Sequence, residues 1–113
     1  MRFMMFVCVA ETAHVPTDAS TVPDVEDWVK ENDRKGTRVD GERLVGSQDA
    51  KTVRNRDGKV VVTDGPFAET KEVIAGFDIL ECADLDEAIA VAASHPMAHT
   101  HMIEIRAMEF GPS

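Results

Sequence analysis

Long apolar runs are missing from this chain. No stretch approaches the ~18 residues that a membrane-spanning helix needs, so no membrane association of that kind is expected. Positive charge is scarce as well: twelve Lys and Arg stand against twenty-one Asp and Glu, for a net charge of -9. Nonspecific binding to nucleic acid or to an anionic membrane requires a basic surface, and neither is expected. Cysteine is limited to Cys8 and Cys82. Both lie in apolar, strand-like runs and read as reduced, buried thiols of a cytoplasmic protein. The N-terminus, Arg2 followed by Phe3 to Ala10, has one basic residue and a short apolar run. It reads as a first strand, not as a signal peptide. Several site motifs are missing too. There is no Gly-rich phosphate loop, no Gly-x-Ser-x-Gly elbow, no His-Glu-x-x-His and no Cys-x-x-Cys. A nucleotide cofactor and a serine-hydrolase mechanism therefore have no support, and no cofactor and no metal are expected. Repeats of solenoid period and low-complexity tracts are also lacking.

What is present suits one domain: 113 residues, 43% of them apolar, enough for a core and too many for a disordered tail. Phe3 to Val9 is apolar at every position. A strand apolar on both faces must be covered on both. Helices of the same chain can cover one face, and a second copy is the simplest cover for the other. After a loop over Glu11 to Ser20, a helix is expected from Thr21 to Asp24 onward, with Pro23, Asp24 and Glu26 in its first turn. Val25, Trp28 and Val29 form its stripe, and Gly36 ends it. Thr37 to Gly46 reads as a short extended segment bent at Asp40-Gly41. Thr52 to Arg56 and Lys59 to Thr63 flank Asp57-Gly58, which suits the positive-φ turn of a hairpin. Val73 to Cys82 reads as a strand. Asp84 caps a second helix with Leu85, Ala88, Ile89 and Ala92 on one face, and Pro96 ends it near His95. Thr100 to Met108 reads as the last strand, with Met102, Glu104 and Arg106 facing away from Ile103 and Ile105.

This order predicts an α+β fold, a ferredoxin-like sandwich with an inserted β-hairpin: an antiparallel sheet with two helices on one face. Two such sheets facing each other make a dimeric α/β barrel, so a homodimer is expected.

Between the hairpin and the strand lies Asp64-Gly65-Pro66-Phe67-Ala68-Glu69-Thr70-Lys71-Glu72. Together with Val39-Asp40-Gly41-Glu42-x-Leu44, Thr52-Val53-Arg54, Gly76-Phe77, Asp84-Leu85-Asp86-Glu87-Ala88 and Glu104-Ile105-Arg106, it resembles the DGPF-type branch of the YCII-related proteins. The resemblance runs from Phe3 to Arg106. It implies the dimeric ferredoxin-like barrel. Most members have no known reaction; one relative in the wider group is associated with dehydrochlorination of a chlorinated hydroquinone. A His-Asp pair is the site proposed for such relatives, with the His on the first helix. The helix here, Pro23 to Lys35, carries no His, so the resemblance supplies only the acidic half, aligned with Asp64. It also implies an association with extracytoplasmic-function sigma factors, and through it a sigma factor as a partner.

The candidate residues follow from chemistry. A rigid turn at Gly65-Pro66 presents Asp64 with Glu69, Thr70 and Lys71, a grouping able to polarise a small polar ligand with Asp64 as base; the same turn also serves as a purely structural corner. His14, in the loop after the first strand, and His99 are the candidate second acid or base. His99 and His101, two apart on a strand, would share a face, although no acid or thiol stands at ligand spacing; with His95 they read as polar edge histidines. Arg54 and Arg106 are candidate anchors for an anionic group, or members of ion pairs across the sheet. Trp28 and the methionines read as packing. Two functions remain open on these grounds. One is a cofactor-independent enzyme doing proton transfer, an isomerisation or elimination, on a small polar or aromatic metabolite. The other is a non-catalytic module that binds a ligand or a protein.

Overall fold

A computed structural model describes residues 1–10, 12–66 and 72–109. Six strands and three helices follow one another: β1 (Arg2–Ala10), α1 (Val25–Arg34), β2 (Arg38–Arg43), β3 (Lys51–Arg56), β4 (Lys59–Asp64), β5 (Glu72–Glu81), α2 (Leu85–Ala93), α3 (Pro96–Thr100) and β6 (Met102–Ala107). Four strands form an antiparallel sheet in the order β2-β5-β1-β6, and β3 and β4 pair only with each other. Without the β3–β4 hairpin this is the split β-α-β arrangement of a ferredoxin-like sandwich. The fold expected from the sequence is the fold observed.

The two faces of the sheet differ. Phe3, Met5 and Val7 of β1 lie opposite Leu80, Asp78 and Gly76 of β5, and all six are buried. They meet Trp28 of α1, Ala88 and Ala92 of α2, and Cys82 to form the core. Met4 and Phe6 point the other way, opposite Ile79 and Phe77, and stay only half-buried. No described element covers that side, as the doubly apolar β1 led us to expect. Glu104 and Arg106 of β6 lie on it too, opposite Phe6 and Met4.

Local chemistry sets most element ends. Asp24 caps α1 by accepting the N–H of Glu26 (2.8 Å) and Asp27 (3.3 Å), so the helix begins at Val25 and Pro23 precedes the cap. Gly36 leaves the helix with φ 75°. Asp84 caps α2 through the Glu87 N–H (2.8 Å). Asp57 and Gly58 both adopt positive φ, 55° and 82°, the pair of values a two-residue type I′ turn requires. On α2 the apolar stripe is narrower than expected. Ala88 and Ala92 are buried, whereas Leu85 and Ile89 are half-exposed; the small alanine side chains let the helix approach the sheet closely.

The end of the chain corrects one expectation. Pro96 does not simply stop α2; it occupies the first turn of α3, with His95 as its N-cap. Proline suits that position because its missing N–H would have no helical partner anyway. His99 therefore lies within α3, and His101 is its C-cap. They do not share a strand face.

Leu80 is wholly buried between β1 and the helices. Leu80→Ala is expected to destabilise the fold by about 2–5 kcal/mol in urea unfolding, whereas Ile89→Ala on the outer side of α2 is expected to cost far less.

Candidate functional site

Trp28 joins the helices. Its indole N–H donates to Val91 O (3.1 Å) and Ser94 Oγ (2.9 Å), and Asn32, one turn on, donates to Trp28 O (2.8 Å). Beside this joint opens a cleft of about 1000 Å³. One wall is α1 with the residues before it, another the β2–β5 edge of the sheet, and the third the start of α3. Val7, Val25, Val29, Pro96 and Met97 supply its apolar walls, and Asp24, Glu26, Lys30, Glu42 and Arg43 also line it. Arg38, Asp78 and His95 also line it, and Asp78 and His95 are 5% and 4% exposed, so they belong to its floor. Largely apolar walls with a few converging polar groups are what small-molecule sites have in common.

The charged part is built around Arg38. Its Nε donates to Asp78 Oδ1 (2.7 Å), Nη1 to Asp33 Oδ1 (3.0 Å), and Nη2 to Gly41 O (2.9 Å). Three elements are thereby tied together: the end of α1, β2 and β5. Burial pulls the Arg38 guanidinium down, and the bonds to Asp78 and Asp33 more than offset this, so it is held above its ordinary value. Burial pushes the Asp78 carboxyl up, and the Arg38 bond offsets that only in part. Among the described residues Asp78 Oδ2 has no hydrogen-bond partner. Gly41 is required at this point. A Cβ there would collide with Asp78 Oδ1 and sit 2.8 Å from Arg38 Nη2.

His95 is the second polar group. Its Nδ1 accepts the Met97 N–H (3.0 Å), which leaves Nε2 as the nitrogen that carries the proton. Its ring packs edge-on against Trp28, with centroids 4.7 Å apart and planes 69° apart. Burial drops its pKa from 6.5 to about 4. The side chain is therefore a neutral imidazole at pH 7, oriented by a backbone amide, and a hydrogen-bond donor.

The residues singled out by sequence lie elsewhere. Asp64 ends β4, is 85% exposed, and pairs with Lys51 Nζ. Arg54 sits on β3 opposite Val61. Arg106 is exposed on the uncovered face of the sheet. His14 is exposed in the loop after β1, and its N–H bonds Thr100 O (2.8 Å), which brings it beside the end of α3 and His99. None of these five lines the cleft. Thr70 and Lys71 lie outside the described residues. Among the described residues no group of three or more His, Cys, Asp or Glu is placed to hold a metal. His95 corrects an expectation: it is no edge residue but one of the most buried polar groups in the chain. Two signals for the missed residues were available. Asp78 is a lone acid inside an apolar strand, and His95 directly precedes a proline, where a helix cap is needed.

A four-stranded antiparallel sheet, helices on one side and a cleft between them define a small ferredoxin-like α+β domain. The chain belongs to the YCII-related domain family, which it matches over residues 1–109. A curated relative is an uncharacterised protein of Rhizobium meliloti (strain 1021), 52% identical over 50 residues. That match covers 44% of this chain and 40% of the relative, so the chain spans well under half of the relative's length. A solved structure with a similar chain path is the 5-chloro-2-hydroxyhydroquinone dehydrochlorinase of Burkholderia phenoliruptrix AC1100 in complex with 2,5-dihydroxybenzoquinone. It shares 13% identity and a TM-score of 0.48, covering 98% of this chain and 96% of its own. No helix is long and apolar enough to cross a membrane among the described residues. Burial pushes the Cys82 thiol up.

Two predictions follow from the floor of the cleft. Removing Arg38 would leave the Asp78 charge buried and uncompensated, so Arg38→Met is expected to cost about 3–5 kcal/mol at pH 7 in chemical unfolding. His95 has a depressed pKa, so the folded state binds fewer protons than the unfolded one between its two values. Its contribution is complete above pH 6.5 and is lost as the pH falls through about 4. Asp78, raised, acts in the opposite sense: its contribution is complete below 3.8 and is lost as the pH rises through its folded value. A comparison with His95→Asn, which keeps a capping acceptor, isolates the histidine. Wild type is expected to lose about 3 kcal/mol more than this variant between pH 7 and pH 4.

Proposed function

We propose that the cleft binds a small polar or aromatic metabolite and moves a proton on it without a cofactor. One observation carries this reading: a carboxyl group pushed up by burial and a neutral imidazole held as an N–H donor line the same largely apolar cleft. A carboxylate with a free oxygen and an imidazole N–H donor that converge on one apolar cleft are suited to base and hydrogen-bond-donor roles. Asp78, through Oδ2, is the base that takes a proton from a carbon next to a carbonyl. His95, through Nε2–H, donates a hydrogen bond to the carbonyl oxygen as negative charge gathers there. Return of the proton to the neighbouring carbon completes an isomerisation; departure of a leaving group completes an elimination.

A second reading is a module that holds a ligand or a protein partner, such as a sigma factor, without turnover. It is favoured by the Arg38 guanidinium, whose nitrogens are all already engaged by Asp78, Asp33 and Gly41 O. In either case we propose a homodimer formed through the uncovered face of the sheet, where Phe6 and Phe77 are half-buried and Ile74 is 50% exposed.

Solvent-deuterium wash-in separates the readings. Small hydroxycarbonyl compounds and hydroxyquinones are incubated with the protein in D₂O and followed by proton NMR. Enzyme-catalysed exchange is expected in wild type, with a loss of about 100-fold or more in Asp78→Asn. Binding in a thermal-shift screen with no exchange in any compound favours the binding module. Phe6→Asp is expected to convert the dimer to a monomer in light scattering.

A further inference from the structure

The cleft carries charges that proton transfer does not use. Beyond Arg38 and Asp78, its lining includes Asp24, Glu26, Lys30, Glu42 and Arg43. Four of these five have other roles. Asp24 commits its carboxylate to the N–H groups of Glu26 and Asp27. Lys30 follows Glu26 by one turn of α1, the spacing at which two opposite charges offset each other. Glu42 lies opposite Phe77, so its side chain starts from the uncovered face of the sheet. Arg43 is different. Among the described residues its guanidinium makes no hydrogen bond and no ion pair; its bond to Glu42 Oε1 (3.0 Å) comes from the backbone N–H.

The strand register places that guanidinium relative to the acid. Gly41 lies opposite Asp78, and Arg43 opposite Gly76. Side chains alternate along a strand, so Arg43 and Asp78 rise from the same, helix-side face of the sheet. They are diagonal neighbours on paired strands, about 7–8 Å apart along the backbone. The other two corners of this patch are Gly41 and Gly76, which have no side chain to fill the space between. Val7, opposite Gly76 on β1, borders the patch. A flat patch with a carboxylate at one corner and a guanidinium at the other matches the span of a six-membered ring with one substituent. An unpartnered guanidinium beside apolar walls is suited to hold a carboxylate through two parallel hydrogen bonds. Arg38 cannot serve in its place, because its nitrogens are engaged by Asp78, Asp33 and Gly41 O.

We propose that Arg43 selects substrates that carry a carboxylate on a small ring. The guanidinium holds the carboxylate, the ring lies over Gly41 and Gly76, and the reacting carbon reaches Asp78 Oδ2. Arg43 sets specificity and takes no part in the proton transfer. This role rests on the reading of the cleft as a small-molecule site. The chain as a whole carries -9, so a preference for an anion has to come from a local cation.

Binding and chemistry are measured separately on the full chain. The probes are 3,4-dihydroxybenzoate and catechol, which differ only by the carboxylate. In titration calorimetry at low salt, wild type is expected to bind the benzoate about 10-fold more tightly or better. Arg43→Gln is expected to bring the ratio of the two affinities close to one, and Arg43→Glu to invert it. Arg43 is exposed, and fluorescence of the single Trp28, buried in the core, reports that each variant is folded. Equal affinities in wild type, no binding of either probe, or a ratio that Arg43→Gln leaves unchanged would overturn the role of Arg43. Deuterium wash-in keeps the two proposals apart. Exchange in uncharged hydroxyquinones, with no preference for the benzoate, overturns the carboxylate anchor and leaves proton transfer standing. A carboxylate preference lost in Arg43→Gln, with no exchange in any compound, supports the anchor and removes proton transfer.

Discussion

Arg38 holds the edge of this fold in place. β2 is the outermost strand of the sheet, joined to β5 by a register that shifts between Arg38 and Asp40. A strand with one neighbour and a bulge is weakly specified by backbone pairing alone. The guanidinium supplies what the ladder lacks. Through one planar group it bonds Asp33 at the end of α1, Asp78 across the ladder and Gly41 O on its own strand. The position of α1 over the sheet, and the width of the cleft between them, depend on that group. A buried pair of this kind contributes little net stability against an apolar substitute, but breaking it leaves a charge stranded. Its effect is specificity of arrangement: β2 fits β5 in one register, and Gly41 has to be a glycine for Asp78 to reach.

The sheet divides the molecule by chemistry. On the helix side the core closes around Phe3, Met5 and Leu80, and toward β2 it gives way to the cleft with its buried acid and imidazole. On the other side an apolar centre of Met4, Phe6, Phe77 and Ile79 is rimmed by Glu104 and Arg106. Each face is suited to a different occupant. β1 has to serve both, which is why it is apolar at consecutive positions and not only at alternate ones.

Much of the fold was legible in local chemistry. The apolar run at β1, Asp57-Gly58 and the capping Asp84 each have one ready structural meaning, and each has that meaning here. The stretch from Asp64 onward drew attention because so many polar groups are packed into it. Concentration along a chain is a poor guide to concentration in space: Asp64 pairs with Lys51 in solvent, while the buried acid of the cleft is Asp78, inside an apolar strand. Its partner Arg38 is forty positions away, beyond any window in which spacing is informative. His95 is hard to place for a related reason. A proline after a helix reads as an end, but its fixed φ equally starts a new one, and the residue before it then serves as a cap. The His-Asp pair that the resemblance implies has no His on α1. The cleft nonetheless has a His and an Asp on its floor, contributed by α3 and β5.

The hairpin also bears on how the chain reaches this state. Pairing of β2 with β5 closes a loop over residues 44–71, pinned at its base by the Leu44 N–H to Ala75 O bond (2.9 Å). The entropic cost of closure rises only with the logarithm of loop length, so halving the loop would return about 0.6 kcal/mol. A stretch of chain can therefore be inserted or excised between these strands at little cost to the stability of the four-stranded sheet, the effect falling mainly on the rate at which β2 finds β5.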